Sequence, residues 1–362
     1  MLCIFIDALN PSYLQHMPFL NSMREESLHG FLEVPLGYTG IIASFMTGLW
    51  PDKHKIFDLF VPDKEVKKKI KSKYLLGAKR LLQGNRLFYT PSKLKAMDYF
   101  KPSLNKNWAQ KNCLSHLTIF DFLEKNRKSF EVIDWPNHFK NRKGSILFSK
   151  SYPSALQLAK KSKADFVFVH FLDLELAHKT GVESQEIIHV AREIDGAVRQ
   201  LWEKDENILI FSDHGMDDIK KEVNILSEIK KVGLKFGEDF IYIIGSTTVE
   251  FWFKNENARE RITKMLGELD YGKIIDQKEF HLDTDSDIIF LAPLEMGFYP
   301  NFFSNQHFKA MHGWNPKIQK TYYILKNSFK KGEKDARIVD FFPTILKLMN
   351  LQKTECDGKS II

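Results

Sequence analysis

Short runs of consecutive apolar residues recur along the chain, and each stops at an acid or a polar cluster. Leu2–Ile6 ends at Asp7, residues 165–171 (DFVFVHF) lead into Asp173, and Ile208–Phe211 stops at Ser212, Asp213, His214 and Gly215. Unbroken apolar runs of this length suit strands covered on both faces, as in a parallel sheet. Between them the apolar residues fall at helical spacing, over residues 18–27, 115–126, Tyr152–Lys161 and 184–204. In the last of these, Ile187, Val190, Ala191, Ile194, Val198 and Leu201 share one face. Further strands are predicted at 31–34, 131–135 and 322–325, and a closing helix at 337–350. Strands and helices alternating in this way predict an α/β fold, a mostly parallel central sheet with helices on both faces, as one domain over residues 1–362.

Two stretches break the alternation. Residues 59–111 contain a basic segment, 64–86, in which nine Lys or Arg meet the single acid Glu65, while Ile70, Tyr74, Leu75, Ala78 and Leu81 line one helical face. This predicts a basic helical insertion. Its charge is read first as a solvated face, with contact to a peripheral anionic surface as the alternative. Over 218–290 the pattern loosens into short strands within 241–253 and a helix at 258–266, which predicts a small α+β cap. The central sheet is expected to resume at Ile288–Leu291.

Composition narrows the class. Hydrophobic residues make up 43% of the chain, enough for a large core and too many for disorder. The net charge of +7 favours anionic partners. Three scattered cysteines, Cys3, Cys113 and Cys356, form neither a disulfide framework nor a cysteine-based zinc motif. No run approaches the roughly 20 apolar residues of a membrane span. The expected location is cytoplasmic, and nucleic acid is not an expected partner.

The candidate chemistry sits where strands end. Ligands in open α/β sheets bind outside the carboxyl ends of the strands, and three exits carry acids: Asp7, Asp173 with His178 following, and Asp213 with His214. His312, in MHGWNP, is a further donor. Oxygen and nitrogen donors side by side suit a zinc-like divalent ion, although an Asp–His pair also serves to cap a turn. In PLGYTGIIASFMTGLWPDKH, Gly37 and Gly40 flank Tyr38 and Thr39 at the start of a small-residue helix, 41–46. Thr39 is a candidate nucleophile there, beside unpaired backbone N–H groups that favour a phosphate, or an ordinary N-cap. Three acids and three histidines gathered on one rim would match the needs of a two-metal hydrolase.

In this order FIDAL, the threonine turn with TGLWPDKH, DLELAHKTG, FSDHGM, MHGWNP and VDFFPTILKL resemble the alkaline phosphatase superfamily, nearest to its type I phosphodiesterase and nucleotide pyrophosphatase branch. The resemblance implies two divalent metal ions, expected to be Zn2+. One would be held by Asp173, His178 and His312, the other by Asp7, Asp213 and His214. Thr39 would touch the second and attack phosphorus, giving a phosphothreonine that water hydrolyses.

Three departures accompany the resemblance. The Asp173–His178 spacing is one residue longer than the family's, which leaves two alternatives: Glu175 replaces or assists a ligand, or the turn bulges. Thr39 lies one residue closer than usual to Thr47, which leaves Tyr38 as a formal competitor. Where the nucleotide-cleaving branch has an Asn that holds the phosphate, this chain reads KIFD, with Lys55 for the Gly. The implied activity is phosphodiester or pyrophosphate hydrolysis, with phosphoryl transfer, a phosphomutase reaction and non-catalytic anion binding as alternatives. The implied substrate is a phosphorylated small molecule, a nucleotide, or a glycan or lipid headgroup. The stretch GYTGIIA lacks the C/S-x-P-x-R setting of sulfatases, so sulfate esters are not expected.

Overall fold

The computed structural model describes residues 1–37, 40–63, 99–103, 113–134, 145–147, 152–304 and 306–362. The expected basic helix at 64–86 lies outside them, as do Tyr38 and Thr39. Of the insertion, Phe60–Pro62 and Phe100–Pro102 are seen as an antiparallel strand pair.

The main sheet has nine strands. Its order is Gly332–Glu333, Leu28–Glu33, Thr321–Lys326, Ile208–Phe211, Leu2–Ile6, Phe166–Phe171, Phe130–Ile133, Ser145–Leu147, with Ala336–Arg337 also pairing with Leu28–Glu33. Leu2–Ile6 is at the centre, parallel to Phe166–Phe171 on one side and Ile208–Phe211 on the other. Thr321–Lys326 runs antiparallel to both of its neighbours.

Alternation along each strand divides the core into two layers. Cys3, Phe5, Phe166, Phe168, Leu209 and Phe211 face one layer, with helices Gly40–Thr47, Ile119–Lys125 and Phe341–Leu348. Leu2, Ile4, Ile6, Val167, Val169, Phe171, Ile208 and Ile210 face the other, with Tyr152–Lys161 and Gln185–Leu201. Leu2–Ile6 and Ile208–Phe211 are therefore apolar throughout because each of their faces meets a helix layer.

The segment beyond the sheet has its own core. Phe240–Ile244, Thr248–Phe253, Ile288–Leu291 and Lys273–Ile274 form a four-stranded antiparallel sheet, backed by helix Glu256–Gly267. This corrects the expectation that Ile288–Leu291 returns to the central sheet. An apolar four-residue run satisfies either environment, and here its hydrogen-bond partner is Thr248–Phe253.

One cap residue makes an unusual contact. Glu250 is 3% exposed and Asp58, from the segment after the Gly40–Thr47 helix, is 4% exposed. Burial pushes the Glu250 carboxyl well above the ordinary range, and the charge of Asp58 and a hydrogen bond shared with it push in the same direction. A folded-state pKa above the unfolded one means that the native state holds the extra proton. This contribution to stability is complete below the ordinary glutamate pKa and is lost as pH rises through the raised value. Glu250→Gln, which stays neutral at every pH, is expected to match the wild-type Tm near pH 4 and to exceed it increasingly toward pH 9. A Tm difference that does not change with pH in thermal melts would refute this account.

Candidate metal centre

The candidate residues leave the sheet along one edge. Asp7 follows the central strand and its amide still bonds to the Phe171 carbonyl (2.9 Å), so its side chain continues the alternation that sends Cys3 and Phe5 toward the Gly40–Thr47 layer. Ala8 then turns the chain away at φ 59°. Ser212 ties two exits together: its Oγ accepts from the Leu9 amide (2.9 Å) and donates to the His214 carbonyl (2.9 Å). After Phe166–Phe171 comes a 3-10 turn, Asp173–Leu176, and a single α turn, Ala177–Thr180. His312 follows the two-residue strand Ala310–Met311, which pairs with Asp217–Asp218 just beyond His214.

These exits gather two groups of donors. Asp7, Asp213 and His214 form one, and Glu175, His214 and His312 the other, each offering ligand atoms within 4.8 Å of one another. The His214 and His312 rings are stacked, with centroids 3.5 Å apart and planes 1° from parallel. His178 joins through Glu175, its Nε2 lying 3.0 Å from Oε2. Asp7, Asp213 and His214 are all buried.

The protonation pattern fits cations. His214 Nδ1 faces the Gly215 carbonyl at 3.0 Å and His178 Nδ1 the Ala310 carbonyl at 2.8 Å. A carbonyl only accepts, so each Nδ1 carries the proton. His178 Nε2 meets Glu175 Oε2 at 3.0 Å, a partner that also only accepts, so that ring holds a second proton there and its pKa is raised against burial, whereas in the neutral His214 ring Nε2 presents a lone pair. Yet His214 Nε2 faces carboxylate oxygens, at 3.3 Å from Asp7, 3.5 Å from Asp213 and 4.0 Å from Glu175. Lone pairs directed at carboxylates require a positive charge between or on them. Among the described residues, Asp7 Oδ1, Asp213 Oδ1 and Glu175 Oε1 are buried without a hydrogen bond. A buried acceptor left without a partner costs about 1–3 kcal/mol, more on a charged group, so three such oxygens beside an imidazole lone pair match a divalent ion bound by oxygen and nitrogen. Carbonyl partners on Nδ1 are the usual means of orienting ligating histidines.

Electrostatics agrees. Burial, then the charges of Asp7 and Glu175, push the Asp213 carboxyl well above the ordinary range. Burial, then His214 and His178, push His312 well below the ordinary histidine value, toward the neutral ring that ligates a metal. Asp7 moves the other way: burial would raise it, but the His170 hydrogen bond and the His214 and His170 charges together hold it down.

His170 was not singled out by the sequence reading. It is 2% exposed, its Nε2 meets Asp7 Oδ2 at 3.0 Å and its Nδ1 meets the Asp134 carbonyl at 2.9 Å. Both partners only accept, so the ring carries both protons and a positive charge. Burial opposes that charge most strongly, but the bond to Asp7, the Asp7 charge, the Asp134 carbonyl and the Asp213 charge together outweigh it and raise the pKa. Phe5 stacks on the ring at 4.4 Å. The signal was present as the lone polar residue within FVFVHF, on the same face as Phe166 and Phe168.

Of the residues expected from sequence, Asp7, Asp213, His214 and His312 converge and His178 adjoins them. Asp173 departs from the expectation: it is half-buried, belongs to neither donor group, and senses Glu193, His170 and Asp134. Glu175 stands with the donors instead. The physical reason is the turn. Glu175 and His178 are three residues apart on consecutive helical turns and so share a side, whereas a five-residue separation puts Asp173 elsewhere.

The family model for type I phosphodiesterase / nucleotide pyrophosphatase matches residues 1–300. Among curated proteins no match is found. The structure is similar to that of murine ectonucleotide pyrophosphatase / phosphodiesterase 5, with a TM-score of 0.73 at 15% identity. It is also similar to an inactive threonine-to-alanine variant of that protein in complex with AMP (0.72, 15%) and to the human protein of the same name (0.70, 15%). Each comparison covers 99% of this chain and 97% of the other. Matched over most of its length by that family model, the chain belongs to the type I phosphodiesterase / nucleotide pyrophosphatase family of the alkaline phosphatase superfamily and is a hydrolase of phosphate esters.

Proposed function

We propose that the chain is a two-metal phosphodiesterase or pyrophosphatase that works through a phosphothreonine on Thr39. The observation that carries this reading is the pair of donor groups along one sheet edge, with three orphaned carboxylate oxygens. His214 has one free lone pair and serves one cation. Its shorter distances go to Asp7 and Asp213, so those three form one site, and Glu175, His178 and His312 form the other. Two zinc-type ions, when bound, would polarise the phosphoryl oxygens and lower the pKa of the Thr39 hydroxyl.

The chain's own part is positioning. His170 holds Asp7 from below, Ser212 joins two strand exits, and the carbonyls of Gly215 and Ala310 fix two imidazole tautomers. Phe45 stacks on Phe211 at 4.5 Å and seats the Gly40–Thr47 helix over the strand that leads to Asp213. Thr39 directly precedes that helix, which favours its hydroxyl as the group beside the Asp7 and Asp213 site. AMP binding by the murine relative's variant makes nucleotide phosphodiesters the first substrates to compare.

The test strips the purified protein with chelator, restores zinc, and assays bis-p-nitrophenyl phosphate, p-nitrophenyl phosphate and a dinucleotide side by side. Turnover is expected to vanish and return with the metal, and acid quenching is expected to trap a phosphate on Thr39. Added alcohol would reveal transfer to an acceptor other than water. Diester cleavage that ignores the chelator would overturn the reading.

A further inference from the structure

The His54 ring closes a buried network around the residue that follows Thr39. His54 is 2% exposed and Ser44 fully buried. His54 Nδ1 accepts from the Ile56 amide at 3.1 Å, which puts the ring proton on Nε2, where it is donated to Ser44 Oγ at 3.0 Å. The loop then returns to the helix start, since a Cβ on Gly40 would lie 2.5 Å from the Ile56 carbonyl oxygen. One imidazole thus connects Ser44, in the second turn of the helix, to the loop that presses against Gly40 at its start.

Three further features hold this network rigid. Burial drives the His54 pKa down to about 3, so the ring keeps one neutral tautomer throughout the working range. Lys55 caps the Pro51–His54 turn in the left-handed region at φ 62°. Trp50 stacks on His281 of the cap-side segment at 4.5 Å, and the Asp52 amide bonds to the His281 carbonyl at 2.8 Å. His54 contacts none of the metal-donor residues, so its role runs through the backbone.

We infer that His54 is a positioning residue that fixes the backbone at Gly40, and through it the aim of the Thr39 hydroxyl, by its bonds to Ser44 and Ile56, which hold the Ile56 loop against Gly40. The inference rests on Thr39 as the nucleophile. A displacement of the nucleophile by about 1 Å can cost on the order of 10²-fold in rate.

The experiment measures kcat, KM, zinc content and acid-trapped phosphothreonine for zinc-loaded wild type, His54→Ala, His54→Gln and Ser44→Ala with bis-p-nitrophenyl phosphate. His54→Ala is expected to lower kcat and the rate of phosphothreonine formation by roughly 10²-fold, with KM and zinc content unchanged. His54→Gln, whose amide can donate to Ser44 in place of Nε2, should recover most of that loss, and Ser44→Ala should show a smaller loss of the same kind. Wild-type kcat in His54→Ala overturns the inference, as does a loss carried entirely by KM or by zinc content. If His54→Ala does not fold, His54→Gln and Ser44→Ala decide: wild-type kcat in Ser44→Ala overturns it. Absence of a trapped phosphothreonine in the zinc-loaded wild type instead defeats the reading of Thr39, whatever the His54 variants do.

Discussion

Thr39→Ala is expected to reduce diester turnover by roughly 10⁴-fold or more, the scale seen when a covalent nucleophile is removed, while leaving two metals bound. The argument is chemical. A threonine hydroxyl at its ordinary pKa is a weak nucleophile and needs activation from outside its own side chain. A cation held by the buried donors on the sheet edge would provide it: Asp7, Asp213 and His214 converge with a carboxylate oxygen left over on each acid. Thr39→Ser should keep a measurable fraction of the activity because the attacking oxygen survives. Tyr38→Phe is the control for the neighbouring hydroxyl and should turn over at close to the wild-type rate. Zinc content measured alongside separates a lost nucleophile from a lost metal site. Were Tyr38→Phe inactive and Thr39→Ala active, the assignment of the nucleophile would pass to the tyrosine.

The second large effect distinguishes two acids two residues apart. Glu175→Gln is expected to weaken zinc binding and to lower turnover by on the order of 10²–10³-fold, the cost of several kcal/mol in a metal-assisted transition state. Asp173→Asn should change both by a few-fold at most. Glu175 lies 3.0 Å from His178 Nε2, stands among the converging donors and has a buried oxygen without a hydrogen bond among the described residues. Asp173 is half-buried and belongs to neither donor group, and burial, with the charges of Glu193 and Asp134, raises its carboxyl against the pull of His170. Zinc titration with a competing chelator, run on both variants, checks the assignment. Equal losses in the two would mean that the turn rearranges when metal binds, and a loss confined to Asp173→Asn would restore the ligand that sequence resemblance implied.

Much of this was readable in the chain. Apolar runs ending in acids located the strands to within a residue or two, as at Leu2–Ile6, Phe166–Phe171 and Ile208–Phe211, because a strand covered on both faces is built almost wholly from apolar residues until it leaves the core. The same break in pattern marked Asp7, Asp213 and His214 as exit residues. The layered α/β architecture followed from the alternation of periods, a property of consecutive residues.

What the linear order left open was every pairing between distant segments. Ile288–Leu291 reads as a core strand in either sheet, and only its register with Thr248–Phe253 assigns it to the cap. Asp173 and Glu175 are equivalent as acids near a histidine, and the tight turn before His178 decides which one faces it. His170 is one polar residue in an apolar strand, and only the fold brings Asp7 and the Asp134 carbonyl to its two nitrogens. Local pattern determines which face a residue presents, because that depends on backbone period alone. Which donors meet depends on how strands far apart in sequence line up side by side, and for this protein that alignment was decided by the tertiary structure.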